Sequence, residues 1–179
     1  MKGILENMML GLAVSLLILR LAFGLTIAAH GAQKLFGWFG GSGLAGFGAS
    51  LEKMHIRPSA PFALFAGLGE FAGGLLIAFG FLNPAGPLMV AGTMAVAIVT
   101  VHLKKGFFTS KGGYEFPLLV GVGAIALSIS GPGPYSLDEA LRLSLPEPWT
   151  WIVFAALSAG GVVATLGSRL VGRRRSELG

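Results

Sequence analysis

Two ionisable residues stand deep inside apolar runs: Arg20 in SLLILRLAFGL (15–25) and Glu70 in LFAGLGEFAGGLL (64–76). A charge at the centre of a bilayer costs about 2.5–3.5 kcal/mol on insertion scales. Two opposite charges at one depth on neighbouring helices offset part of that cost, so the positions predict an Arg20–Glu70 ion pair. Ala63, Ala66, Gly67, Gly73 and Gly74 lie at helical offsets from Glu70 and let another backbone approach that face. Such a pair either locks two helices together or forms a polar site for a proton, a ligand or a quinone head group. A second set of polar residues falls where apolar runs end. His30 and Lys34 share a face at (i, i+4), with Gln33 beside them; His102 closes a later run and Glu115 opens the next. Two histidines and a carboxylate are metal-ligand types, but they come from three segments with no diagnostic spacing, so no metal site is assigned. The plainer reading is of helix ends whose polar groups reach head groups and unpaired carbonyls. His55 has no partner in sequence and reads as an interface residue.

The elements that position these residues must be membrane helices. The chain has 179 residues, 54% hydrophobic and 12% charged. A soluble domain carries about 25% charged residues. The absence of cysteine excludes disulfides, iron–sulfur clusters, thiolate zinc and dithiol chemistry within the chain. A redox role therefore needs a bound cofactor or a partner protein. The net charge of +5 sits in loops beside apolar runs and speaks for membrane orientation, not nucleic acid. The first 30 residues mimic a secretory signal, but Glu6 dilutes the basic end and Arg20 interrupts the apolar core, so cleavage is not expected.

Five spans are predicted, at residues 8–32, 61–82, 85–103, 116–130 and 149–171. The turn Asn83-Pro84 forces the second and third into an antiparallel pair. The fourth is short and needs shielding or extension. With five spans the termini lie on opposite sides. Lys34, Lys53, Arg57, Lys104, Lys105, Lys111, Arg169, Arg173, Arg174 and Arg175 then share one side, ten of the thirteen basic residues. The positive-inside rule makes that side cytoplasmic and puts the N-terminus in the periplasm. In the first loop Leu44, Phe47, Leu51 and Met54 follow helical spacing and predict a surface-lying helix. In GPGPYSLDEAL (131–141) Ser136 and Glu139 have the spacing of a capping box. The expected fold is an all-α integral membrane protein in a single membrane domain: a four-helix transmembrane bundle plus a fifth C-terminal transmembrane helix.

The stretches LRLAFGLTIAAHGAQKLFG (19–37), GEFAGGLLIAFGFL (69–82), GGYEFPLLVGVGAIALSISGPG (112–133) and GPGPYSLDEAL (131–141) resemble the DoxX family of small bacterial inner-membrane proteins. The resemblance covers roughly residues 19–140 and leaves the fifth span outside. It implies a four-helix bundle core and an inner-membrane location. It also implies association with quinone-coupled sulfur oxidation or oxidative-stress complexes, and marks Arg20, His30, Lys34, Glu70 and Glu115 as family features without catalytic roles. Three readings stand side by side: a quinone-linked accessory subunit that binds soluble or membrane oxidoreductases, a non-enzymatic scaffold or assembly factor, and a small-solute carrier. A homo-oligomer fits any of them.

Overall fold

The computed structural model describes residues 1–178, and all regular structure among them is helical. α1 (Lys2–Leu35) is one unbroken helix of 34 residues. A 3-10 turn at Trp38–Gly40 leads to α2 (Gly43–Lys53) and α3 (Ser59–Phe79). α4 (Ala85–Ala97) continues through a wide π turn, Ile98–His102, and a 3-10 turn, Leu103–Lys105. α5 (Glu115–Ser130), the short α6 (Leu137–Ala140) and α7 (Trp149–Leu178) complete the chain. Helices are the expected outcome of sequences this apolar. In lipid every backbone amide and carbonyl must bond within its own segment.

α1, α3, α4 with its continuation, and α7 are long and apolar enough to cross a membrane. α5, with 16 residues, rises about 24 Å, short of the roughly 30 Å of hydrocarbon. Each predicted span therefore has its helix. The lipid-facing surfaces are large: Phe65, Leu119, Ile129 and Val163 are all about 70% exposed, the natural environment of such side chains being acyl chains.

Close packing follows the small residues. α1 and α3 run antiparallel with their backbones in contact at Gly24 and Gly74. A Cβ on Gly24 would come within 2.5 Å of Ala78 N, and one on Gly74 within 2.5 Å of Ala28 N. Only glycine permits this approach. The crossing fixes the register, with Leu35 opposite Gly67 and Arg20 opposite Gly80. Around it Ile27, Ile77, Val90, Met94, Val120, Ala124 and Leu127 form the core of α1, α3, α4 and α5.

A second core, Leu51, Ile56 and Ala63 with Phe47, Met54 and Phe62, seats α2 against the first half of α3. The predicted surface helix is thus present, with Phe47, Leu51 and Met54 turned onto the bundle. α7 lies along the outside of α4, parallel to it. Ser158 Oγ donates to Leu88 O at 2.8 Å, and the Arg169 guanidinium donates to Val99 O at 3.1 Å and Thr100 O at 3.2 Å, inside the π turn. The loops carrying Lys53, Arg57, Lys104, Lys105 and Lys111 gather with the end of α7 at one end of the bundle. Residues 131–148 and the start of α1 mark the other.

Candidate functional site: an intramembrane ion pair

The structure does not form the predicted Arg20–Glu70 pair. The prediction placed both residues at the middle of their apolar runs. α1 packs on α3 only through its second half, so the middle of the run is not the middle of the contact. Arg20 instead stands level with the end of α3. Its guanidinium donates to the carbonyls of Pro132 and Tyr135 and fills the space over Gly80, the left-handed cap of α3 at φ 61°. Asp138 supplies the counter-charge without a direct ion pair. Its two carboxylate oxygens accept from Leu82 N at 2.8 Å and Asn83 N at 2.9 Å, closing the turn between α3 and α4. Ser136 Oγ accepts from Glu139 N at 3.1 Å, as the capping spacing predicts, and so holds Asp138 in place. Arg20 and Asp138 are 3% and 4% exposed.

Glu70 pairs with Lys34. Glu70 lies one residue past the middle of α3 and is 2% exposed. One oxygen, Oε1, bonds the Lys34 ammonium; the other, Oε2, is buried with no donor. The Lys34 side chain is 29% exposed and its ammonium lies 5.3 Å from the centre of the Phe47 ring. The pair is therefore reachable from the Lys34 side and closed on the Glu70 side.

The rest of the predicted end cluster disperses. Gln33 Nε2 donates to Phe39 O at 3.2 Å. His102 Nδ1 donates to Gly112 O at 2.7 Å, and Glu115 Oε2 accepts from Thr109 N at 2.9 Å. Both hold the loop between α4 and α5. His30 sits on the surface with its ring 5.7 Å from that of Phe116. Gln33, His102 and Glu115 each bond backbone within ten residues of themselves, and His30 lies against a ring of α5 instead of joining them. No group of three His, Cys, Asp or Glu able to hold a metal occurs among the described residues. Lys34 as the partner of Glu70, and Asp138 as a buried acid, were missed from sequence. The register behind the first is seen only in the structure, where Gly31 packs on Phe71 and Gly67 on Leu35, which brings Lys34 level with Glu70.

A cleft of about 620 Å³ opens at the Arg20 end, bounded by Asn83, Ser128, Asp138 and Trp151 among others. Its main polar groups are already engaged. Asn83 Nδ2 donates to Ser128 O at 3.3 Å, Trp151 Nε1 to Ser128 Oγ at 3.2 Å, and both Asp138 oxygens hold amides. The cleft offers room; the Lys34–Glu70 pair offers unmet chemistry.

The DoxX family model matches residues 15–103, which include Arg20, Lys34 and Glu70 and stop before α5 and α7. The inner membrane protein YqjF of Escherichia coli is 33% identical over 106 residues, 59% of this chain and 80% of the relative. No solved structure matches. An all-helical membrane chain with that match and that relative belongs to the DoxX family.

Proposed function

We propose that this protein is an inner-membrane accessory subunit of membrane redox metabolism, and that its Lys34–Glu70 pair receives a quinone head group. The observation that carries this is the second oxygen of Glu70, buried beside an ammonium and without a donor. A buried carboxylate oxygen left unpaired is costly. The exposed flank of Lys34 can donate to a quinone carbonyl, and a quinol hydroxyl that displaced the ammonium would reach the Glu70 carboxylate from the same side and relieve that cost. Phe47 beside Lys34 offers a ring face. Electrons would come from a partner oxidoreductase, since the chain has no cysteine chemistry of its own. The relative's name supports the inner-membrane location.

The test is organic extraction of quinones from protein purified in mild detergent, with the wild type beside Lys34→Met and Glu70→Gln. Quinone recovered from the wild type and lost in both variants is the expected result. Soluble proteins co-purifying without quinone, unchanged in the variants, would favour the scaffold reading instead.

The reading also fixes an orientation, with the N-terminus periplasmic and the C-terminus cytoplasmic. Its support is the gathering of basic loops at the C-terminal end of the bundle. A C-terminal alkaline phosphatase fusion should be inactive and a C-terminal fluorescent protein bright; the reverse pattern overturns the orientation.

A further inference from the structure

At the end of the bundle opposite the N-terminus, a cleft of about 280 Å³ lies between α7 and the loop joining α2 to α3, lined by Arg57, Ser168, Val171, Gly172 and Arg175. Ser168, Gly172 and Arg175 follow one stripe of α7, at offsets that return to the same helix face. Arg57 comes from the opposing loop. Gly172 is what brings the walls together: its Cβ position is occupied by the backbone of His55, with His55 C at 3.2 Å.

Among the described residues no carboxylate lines the cleft. The acid on Arg57 is Glu52, at 3.5 Å, with both side chains more than half exposed (61% and 56%). A pair so wetted is weak and leaves Arg57 free to exchange partners. The Ser168 hydroxyl gives its proton to Thr165 O at 2.8 Å, so it contributes an acceptor, and the donors are the two guanidinia. Arg169, Arg173 and Arg174 add positive charge on the adjoining turns. Two arginines lining one cleft are suited to the oxygens of a phosphate. A basic pocket beside the end of a membrane helix is placed to read lipid head groups.

We propose that this cleft binds the phosphate of an anionic membrane lipid, with Arg57 and Arg175 as its two clamps. The inference does not depend on the Lys34–Glu70 reading. Its test uses different residues.

The experiment is native mass spectrometry of the full chain in detergent, titrated with phosphatidylglycerol, with phosphatidylcholine of the same acyl chains, and with inorganic phosphate. The wild type should retain phosphatidylglycerol over phosphatidylcholine. Arg175→Gln should lower that retention about fivefold, and the double variant Arg57→Gln, Arg175→Gln roughly 25-fold. Lys104→Gln with Lys105→Gln removes the same charge at the same end but outside the cleft, and should leave retention near the wild-type level. Gly172→Leu keeps every charge but pushes α7 off the loop, and should also lose the lipid. If that variant does not fold, Arg175→Gln against the lysine pair decides the matter. Equal retention of the two lipids, or equal loss in the arginine and lysine variants, would overturn the site in favour of a diffuse basic surface. Inorganic phosphate binding alone and displacing phosphatidylglycerol at millimolar concentration would overturn the lipid as the source of the phosphate.

Discussion

The molecule buries two charged centres, and they are finished differently. Around Arg20 two backbone carbonyls take the guanidinium, and both oxygens of the counter-charge Asp138 take amides of the α3–α4 turn. Around Glu70 there is one ammonium, and one oxygen remains without a donor. The first centre ties three pieces of chain that are distant in sequence: α1, the α3–α4 turn and residues 131–138. The second joins two helices already held by the glycine crossing. Arg20 Nε is also buried without a partner, but both terminal nitrogens of the guanidinium and both oxygens of its counter-charge are bonded, so the native arrangement satisfies most of this centre and makes it a fold-holding device. A charge left short of partners is where a ligand gains most by arriving. The Arg20 centre is therefore read as structural and the Glu70 centre as functional.

The largest test of that contrast is at Asp138. Asp138→Ala removes the acceptor of two buried amides and the counter-charge of Arg20 together. Breaking a buried charge pair by removing one partner costs about 3–5 kcal/mol, and detergent unfolding curves should show a loss of that size. Arg20→Leu should behave alike. Arg20→Lys should not rescue, since a single ammonium cannot reproduce a fork that spans the carbonyls of Pro132 and Tyr135. Stability left unchanged by Asp138→Ala would remove the basis for calling this centre structural.

How much of this could be read beforehand divides along the same line. The helices were legible because hydropathy and length alone report them: residues 116–130 predicted against Glu115–Ser130 observed, and a surface helix around Leu44–Met54 against Gly43–Lys53. The capping spacing of Ser136 was legible because it is local. The partner of Glu70 was not, because pairing depends on the register between helices, and a run of apolar residues carries almost no register. α1 continues far beyond its contact with α3, which moved Arg20 from the expected middle to the edge. Nothing local in the sequence marks Asp138 as a buried acid. Its burial arises from the return of residues 131–138 over Arg20, a contact between segments more than one hundred residues apart.

At Glu70 the expected effects separate. Glu70→Gln leaves Lys34 without its counter-charge, but Lys34 is partly exposed and can turn toward water or head groups. The stability loss should be about 1–3 kcal/mol, smaller than at Asp138. Quinone retention should fall by much more than that loss explains. Lys34→Leu with Glu70→Leu should regain stability, since a packed apolar pair can replace a buried ion pair, while quinone retention stays lost. If the apolar pair retains quinone, the open oxygen of Glu70 is not what receives the head group.

The smallest effect is a coupling, and it asks whether the two centres are separate at all. Arg20 stands over Gly80, while Glu70 lies nearly three helical turns away along α3, with no shared hydrogen-bond partner among the described residues. Changes at independent sites add to within about 0.3–0.5 kcal/mol. Arg20→Leu combined with Glu70→Gln should therefore lose the sum of the two single losses, whereas Lys34 and Glu70 should show strong coupling in the same assay. Compensation between Arg20 and Glu70 would mean that the two charges meet in a second arrangement of α1 against α3. Such a shift requires α1 to slide past the Gly24–Gly74 contact. Because that contact is backbone on backbone, sliding would separate atoms that no side chain can fill in for. The crossing thus holds the two centres apart, and additivity is the outcome that its geometry demands.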